Sequence, residues 1–438
     1  MCDPMDFDKI IALIHQEVKP ALGCTEPIAV ALAVARAAEA LREGCGCEAA
    51  EITASVSANI LKNGMGVGIP GTGMVGLHVA AALGAVCGRS AYGLEVLHDL
   101  CPEAVEKARG LVSTGKVIVT LAPTDELLYV YAEARAEGHV ATAVISGAHD
   151  RIVEATFDGT SVLAVRKAED AADTGAASAV EPDFARRITV RDIWEFANTV
   201  PLEKIAFMED SITMNRALSD EGLRHPYGLQ VGRTLLADDN KSVYGDTLLI
   251  HAMALTAAAS DARMAGCTLS AMSNSGSGNQ GVTATMPVIA IAEKTGATHE
   301  QLLRALALSH LTAIHIKGYL GKLSALCGCV IASTGSACGI VYLRRGGYEQ
   351  VCAAIKNMIG NITGMVCDGA KVGCALKVAS GVATALQSAV LALDGQCISA
   401  NDGIIEEDIE KTIANLGQIG SVGMKATDKM ILDIMSCK

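Results

Sequence analysis

Gly364-Met365-Val366-Cys367-Asp368-Gly369-Ala370-Lys371-Val372-Gly373-Cys374-Ala375-Leu376-Lys377 is the stretch that decides how this chain is built. It sets two cysteines seven apart around Asp, Gly and Lys, inside sequence that otherwise reads as small-residue helix. Forty residues upstream stands a second thiol pair, Cys327-Gly328-Cys329. Thiolates are soft ligands, and sites rich in them select zinc, copper(I) or iron–sulfur clusters. The two segments are therefore expected to meet in space around one inorganic centre.

The composition around this stretch narrows the classes of function. A chain of 438 residues has ample length for two or three domains and a large core. Half of the residues are hydrophobic but only 3% are aromatic, and there are 44 glycines, which describes closely packed helices of small side chains. A formal charge of −13 argues against nucleic acid and anionic membrane as partners, since both need a basic surface. The opening Met1-Cys2-Asp3-Pro4-Met5-Asp6-Phe7-Asp8 is acidic where an export signal is basic and then apolar. Together with fifteen cysteines, this leads to the expectation of a reducing cytoplasm and of thiols that are free, metal-bound or catalytic. The uncharged stretch from Ile69 to Gly88 reads as a buried Gly/Ala-rich helix rather than a membrane span.

Taken in order, the chain begins with a helical period at Ile10, Ile11, Ile14 and Val18. After the turn Leu22-Gly23-Cys24-Thr25-Glu26-Pro27 comes an Ala-rich helix over 28–41. Cys24 thus precedes a helix N-terminus, where the dipole and free N–H groups favour a thiolate and a depressed pKa; a small buried residue is the plainer reading. Residues 51–60, 117–121, 127–132, 139–145 and 152–157 read as strands. Gly71, Gly73 and Gly76, with Glu95 beyond, match the spacing of a dinucleotide fingerprint, but glycine is so dense there that chance spacing or a simple turn competes. Residues 1–165 therefore form an α/β unit, 166–188 a charged, small-residue linker, and 189–438 an all-helical domain. Helices are expected near 191–198, 202–219, 244–266, 283–295, 299–317, 349–360, 375–393 and 405–415.

Within the helical part, Ser273-Asn274-Ser275-Gly276-Ser277-Gly278-Asn279-Gln280-Gly281 is the clearest loop, and it opens a helix. Its amides and hydroxyls suit a carboxylate or phosphate, against the alternative of a flexible connector. His310 and His315 are five apart, poor spacing for one metal face, and read as packed or surface residues. The cysteines lack the C-x2-4-C knuckles of structural zinc sites. An iron–sulfur cluster tolerates wider spacing because its ligands go to different irons, and three protein thiolates would leave one iron open as a Lewis acid. Cys45, Cys47, Cys338, Cys352 and Cys397 read as structural, and Cys437 as part of a tail.

The segment Gly23–Pro27, the 273–281 loop, the run Cys327-Gly328-Cys329-Val330-Ile331-Ala332-Ser333-Thr334-Gly335-Ser336-Ala337-Cys338-Gly339 and the Cys367–Cys374 motif together resemble the L-cysteine desulfidase family, which is related to the iron–sulfur L-serine dehydratases. The resemblance spans nearly the whole chain. It implies an α/β N-terminal domain similar to the serine dehydratase β-domain, followed by an all-helical domain like the dehydratase α-domain and carrying a 4Fe–4S cluster. Carried over by motif, Cys367 and Cys374 match two cluster cysteines; the third is Cys327, with Cys329 as the alternate. Cys24 matches the cysteine proposed as proton acceptor. The implied reaction is β-elimination from L-cysteine to hydrogen sulfide, ammonia and pyruvate without pyridoxal phosphate. The substrate carboxylate would lie on Ser275, Gly276, Ser277, Gly278 and Asn279. L-Serine dehydration and a non-catalytic iron–sulfur sensor are the alternatives. The partner expected is a small-molecule amino-acid substrate, and a homodimer is left open.

Overall fold

Alanine and valine alternate with polar residues along 129–145, and that alternation makes a sheet whose inner face carries mostly small side chains. The structure, a computed structural model, describes residues 6–163, 181, 183–321 and 324–437. Its strands are β1 Pro20–Ala21, β2 Glu51–Val56, β3 Val117–Leu121, β4 Tyr129–Ala136, β5 His139–Ser146, β6 Ile152–Phe157, β7 Thr160–Ser161 and β8 Ala271–Met272. Six of them form one sheet in the order β3-β2-β4-β5-β6-β7, parallel between β2 and β3 and antiparallel elsewhere. Val130, Ala132 and Ala134 of β4 and Ala141 and Ala143 of β5 are completely buried on one face. Strand side chains alternate between faces, so this face accepts a helix at close range.

That helix is α2 (Thr25–Cys45), which packs on β4 and β5. The first half of the chain also contains α1 (Phe7–Glu17), α3 (Ala58–Gly64), α4 (Leu77–Cys87) and α5 (Pro102–Ser113). Gly84 of α4 lies against the Ala31 carbonyl of α2, so closely that a Cβ there would overlap it. Each strand-like run holds a strand, with two changes of bounds. The run expected over 127–132 begins at Tyr129 and continues to Ala136, where β4 stays paired with β5. The run expected to reach residue 60 ends at Val56, because its neighbours β3 and β4 stop pairing there, and the chain turns into α3.

Thirteen helices follow among the described residues: α6 (Phe184–Arg187), α7 (Val190–Thr199), α8 (Met208–Arg224), α9 (Val231–Leu236), α10 (Lys241–Tyr244), α11 (Leu248–Met264), α12 (Gly278–Thr295), α13 (His299–Leu320), α14 (Gly328–Leu343), α15 (Tyr348–Ile362), α16 (Cys374–Leu393), α17 (Ile409–Gln418) and α18 (Lys425–Ser436). Helix α14 has no counterpart among the sequence expectations. It is apolar on all sides and nearly all buried between α12, α13 and α16, so it shows no amphipathic period. Residues 166–180 and 182 of the expected linker lie outside the described residues. Helix α16 is long and apolar enough to cross a membrane by length and composition, and 50% of its most apolar window is buried inside the fold.

Two contacts tie the halves together and correct the sequence reading. Helix α1, expected within the α/β unit, sends Ile10, Leu13 and Ile14 into the main helical core, and β1 pairs antiparallel with β8. The glycine-rich segment does not follow a strand, since α3 separates it from β2. Its amides are engaged: Gly68 N–H donates to Met264 O at 3.0 Å and Gly71 N–H to Gly266 O at 3.1 Å. A Cβ on Gly68 would sit 2.5 Å from the Ala265 carbonyl carbon, so glycine serves backbone-to-backbone docking there rather than a dinucleotide.

Gly84→Ala is expected to destabilise the protein by about 1–3 kcal/mol through overpacking of α2 on α4. At the exposed helical Gly110 an added methyl group would meet nothing within 4 Å, so Ala should be accepted there with a gain of up to about 1 kcal/mol. Denaturant midpoints of the two variants check both signs.

Candidate active site

Cys24 is the N-cap of α2, in extended conformation, and only 6% exposed. Its S–H donates to Glu26 Oε2 at 2.9 Å. The helix terminus is where the sequence placed it, but the depressed pKa is not. Burial, and after it the Glu26 charge, push the Cys24 thiol well above its ordinary value, and Arg263 pulls back only in part. Glu26 remains an ionised carboxylate: burial would raise it, but His149, the Cys24 S–H and Arg263 outweigh burial and leave it below its usual value.

The 273–281 loop is held from outside by the N-terminal segment. Ser273 N–H donates to Lys19 O and Ser275 N–H to Glu17 O, both at 2.8 Å. From inside, the buried Asn274 Nδ2 donates to His310 Nδ1 at 3.1 Å, and Gln280 Nε2 donates to Asn274 Oδ1 at 3.0 Å. The loop is therefore a fixed structure and no flexible connector. Ser277 caps α12 through its Oγ, and Ser275 Oγ is spent on Asn274 Oδ1. The N–H groups of Gly276, Gly278 and Asn279 have no hydrogen-bond partner among the described residues. Gly276 has φ +80° and Ser275 φ +49°, the left-handed pair that turns this backbone toward the helix.

Thr25 Oγ1 donates to Gly276 O at 3.3 Å, joining the Cys24 turn to the loop. Arg263, 4% exposed, completes the join. Its Nη2 donates to Gly23 O at 2.8 Å and its Nη1 to Asn279 Oδ1 at 3.2 Å, while Nε has no partner. A Cβ at Gly278 would overlap this guanidinium. Sequence reasoning passed over Arg263, although with Asp261 it is one of only two charged residues in α11. Such a charge inside an apolar helix is the signal that marks it.

The cysteines come from two adjoining backbones. Cys327 N–H donates to Met365 O at 3.0 Å and Cys367 N–H to Ala325 O at 2.7 Å, a short antiparallel bridge around Leu326 and Val366. Cys327 is the N-cap of α14 and Cys374 the first residue of α16. Gly328 lies against the loop, where an added Cβ would stand 2.9 Å from Gln280 Oε1. Val67 and Met264 form a small packed group with Cys24, and Val372 and Cys374 border it. The Cys327 thiol is drawn down to about 7, chiefly by the S–H that Cys329 donates to it; Cys329 is correspondingly pushed well up. Burial raises Cys367 and holds Cys374 near 11.

The chemistry of this donor set suits a thiolate-bound cluster. The Cys327, Cys329, Cys367 and Cys374 sulfurs all lie within electrostatic reach of one another, and the ammonium groups of Lys62, Lys317 and Lys377 surround them and offset negative charge. Burial lowers Lys317 to about 8, against the pull of Cys367 and Cys327. Among the described residues no three His, Cys, Asp or Glu side chains gather closely enough for a single metal ion. A cluster asks for something different, since each sulfur bonds its own iron. His310 and His315 are packed residues as expected: His310 bonds Asn274 and Thr285, and His315 bonds Ala185 O at 2.9 Å and Glu410 at 2.8 Å. Cys437 is exposed at the end of α18, not in a disordered tail.

Burial holds His310 neutral, with its pKa lowered to about 4. The unfolded chain takes a proton near pH 6.5 that the fold refuses, so stability falls as pH drops from about 6.5 toward 4. The loss amounts to roughly 3 kcal/mol at the acid end. His310→Gln should show a shallower acid slope in denaturation midpoints measured across that window.

A family model described as serine dehydratase alpha chain matches residues 91–433. A UPF0597 protein of Bacteroides fragilis is 48% identical over 431 residues, covering 98% of each chain. A UPF0597 protein of Bacteroides thetaiotaomicron is 49% identical over the same share, and one of Oleidesulfovibrio alaskensis is 49% identical over 99% of each chain. With a thiol, a loop of free amides and a four-cysteine group brought together inside the fold that this model largely spans, the chain belongs to the serine dehydratase alpha chain family.

Proposed function

We propose that this protein is a lyase of amino-acid catabolism that eliminates the β-substituent of a small L-amino acid. The substrate is L-cysteine and the products are hydrogen sulfide, ammonia and pyruvate. The observation that carries this reading is the nearness of the Cys24 thiol, the free amides of the 273–281 loop and the cysteine group, in which Cys327 and Cys374 stand at helix N-termini and Cys367 on the bridge beside them. L-Serine dehydration is the second reading, favoured by the description of the matching family.

Cys327, Cys367 and Cys374 would hold a 4Fe–4S cluster, with Cys327 preferred to Cys329 because Cys327 caps the N-terminus of α14 while Cys329 lies inside the helix. When bound, the cluster supplies Lewis acidity to the leaving side of the substrate. The amides of Gly276, Gly278 and Asn279 bind the substrate carboxylate at the positive end of α12, and the Arg263 charge adds to that field. Ser275 and Ser277 shape the loop through the bonds they already make. Cys24 removes the α-proton. The abundance of thiols, all free among the described residues, accords with a reducing compartment such as the cytoplasm.

Anaerobic reconstitution with iron and sulfide, followed by parallel sulfide and pyruvate assays on L-cysteine and L-serine, tests the reading. Product from L-cysteine is expected; product from neither amino acid with the chromophore intact would sink it and leave a sensor. Cys24→Ser should keep the chromophore and lose about 10²–10⁴-fold in kcat. Cys327→Ser, Cys367→Ser and Cys374→Ser should each lose the chromophore, and Cys329→Ser should keep it.

A further inference from the structure

The motif Gly23-Cys24-Thr25-Glu26-Pro27 carries a carboxylate that the function above leaves unused. Glu26 is 8% exposed in the first turn of α2. Its Oε2 accepts the Cys24 S–H at 2.9 Å and the Thr25 hydroxyl at 3.3 Å, and its Oε1 accepts Asn63 Nδ2 at 3.3 Å. The other charged or titratable groups that bear on the pair are Arg263 from α11 and His149 from the turn between β5 and β6. At rest the shared proton sits on sulfur, which donates it to Glu26, because the buried thiol faces an anion while the anion faces the Arg263 cation.

A protonated thiol is not a base. Before sulfur can accept an α-proton it must surrender its own, and the acceptor to which its S–H is bonded is Glu26. We propose that Glu26 is the positioning partner of Cys24: it takes the thiol proton as Cys24 takes the α-proton, so that the pair and not the thiol alone forms the base. This inference rests on the elimination reading. The proton count closes. The Cα–H bond breaks and its electrons form the Cα–Cβ double bond. The Cβ–S bond (Cβ–O for serine) breaks and its electrons leave with the sulfide or hydroxide. The pair then holds one proton more than at rest and yields it to that leaving group. No oxidant or reductant is required.

A merely structural Glu26, an acidic residue favouring a helix N-terminus, predicts something else. Two measurements on the full-length protein, handled anaerobically, test the proposal: labelling reads whether Glu26 holds the proton on Cys24, and turnover separates a proton acceptor from a structural carboxylate. In the first, iodoacetamide labelling of Cys24 is followed by peptide mass spectrometry from about pH 6 to 10. Glu26→Gln removes the charge that keeps the proton on sulfur, so Cys24 should be labelled at least about tenfold faster near neutral pH, one unit of pKa. Glu26→Asp should stay near wild type. Equal or slower labelling in Glu26→Gln overturns the proposal.

In the second, the reconstituted variants are assayed with whichever amino acid the wild type consumes. Glu26→Gln should lose about 10²-fold or more in kcat with KM nearly unchanged. Glu26→Asp should recover much of the rate and displace the acid limb of the pH profile, since the carboxylate must be ionised to receive the proton. Wild-type kcat with an unmoved acid limb in Glu26→Gln overturns the proposal. A wild type that yields no product overturns the elimination reading instead, and the labelling result then stands by itself on whether Glu26 holds the proton on Cys24.

Discussion

Helix dipoles are the constraint on which the candidate site depends. Four helices, α2, α12, α14 and α16, begin next to one another, with Cys24, the Gly276–Asn279 amides, Cys327 and Cys374 at their first turns. Unsatisfied N–H groups and partial positive charge gather at each such end, and four together make a place for anions. The ionised Glu26 and the Cys327 thiol, drawn toward the thiolate, are the anions that the chain itself sets there. Buried Arg263 and Lys62, with Lys317 and Lys377, extend the same field with full charges.

Bringing four helix ends so near demands that their flanks carry little bulk. Gly84 under Ala31, Gly335 under Ser309 and Gly281 under Met272 each let one backbone approach another to where a methyl group would overlap. The small-residue, aromatic-poor composition is thus the condition for the geometry of the site. It also explains why Lys62 is fully buried: its Nζ finds Asp428 on α18, so the C-terminal helix supplies the counter-charge to a lysine beside the thiols. A buried ammonium without such a partner would be costly.

Local and tertiary effects pull thiols in opposite directions. Cys24 and Cys327 occupy the same N-cap position, yet one thiol is raised and the other lowered. Beside Cys24 stands a carboxylate that disfavours a second negative charge. Beside Cys327 stand the Cys329 thiol and the positive Lys377, both of which favour charge on its sulfur. The helix end is common to both; burial, and after it the Glu26 charge, raises Cys24, while the neighbouring thiol draws Cys327 down against its burial.

Much of this protein is legible in its residues alone. Alternation located the strands of the sheet, helical periods located most of the later helices, and the cysteines of 327–329 and 367–374 stood out as two segments. These features are local, or are carried by motif order. The departures are all tertiary. Helix α14 escaped because complete burial erases the period that reveals a helix. The affiliation of α1 with the helical core depends on the β1–β8 pairing, between segments some 250 residues apart. The glycine run resembled a phosphate loop until its amides were seen to be spent on Met264 and Gly266. The partners of Cys24 follow the same logic. Sequence shows that a thiol precedes a helix, but only the folded chain decides that Glu26 lies within hydrogen-bond reach and that water is excluded from both. Charge acts through space and burial, and neither is written in a stretch of sequence.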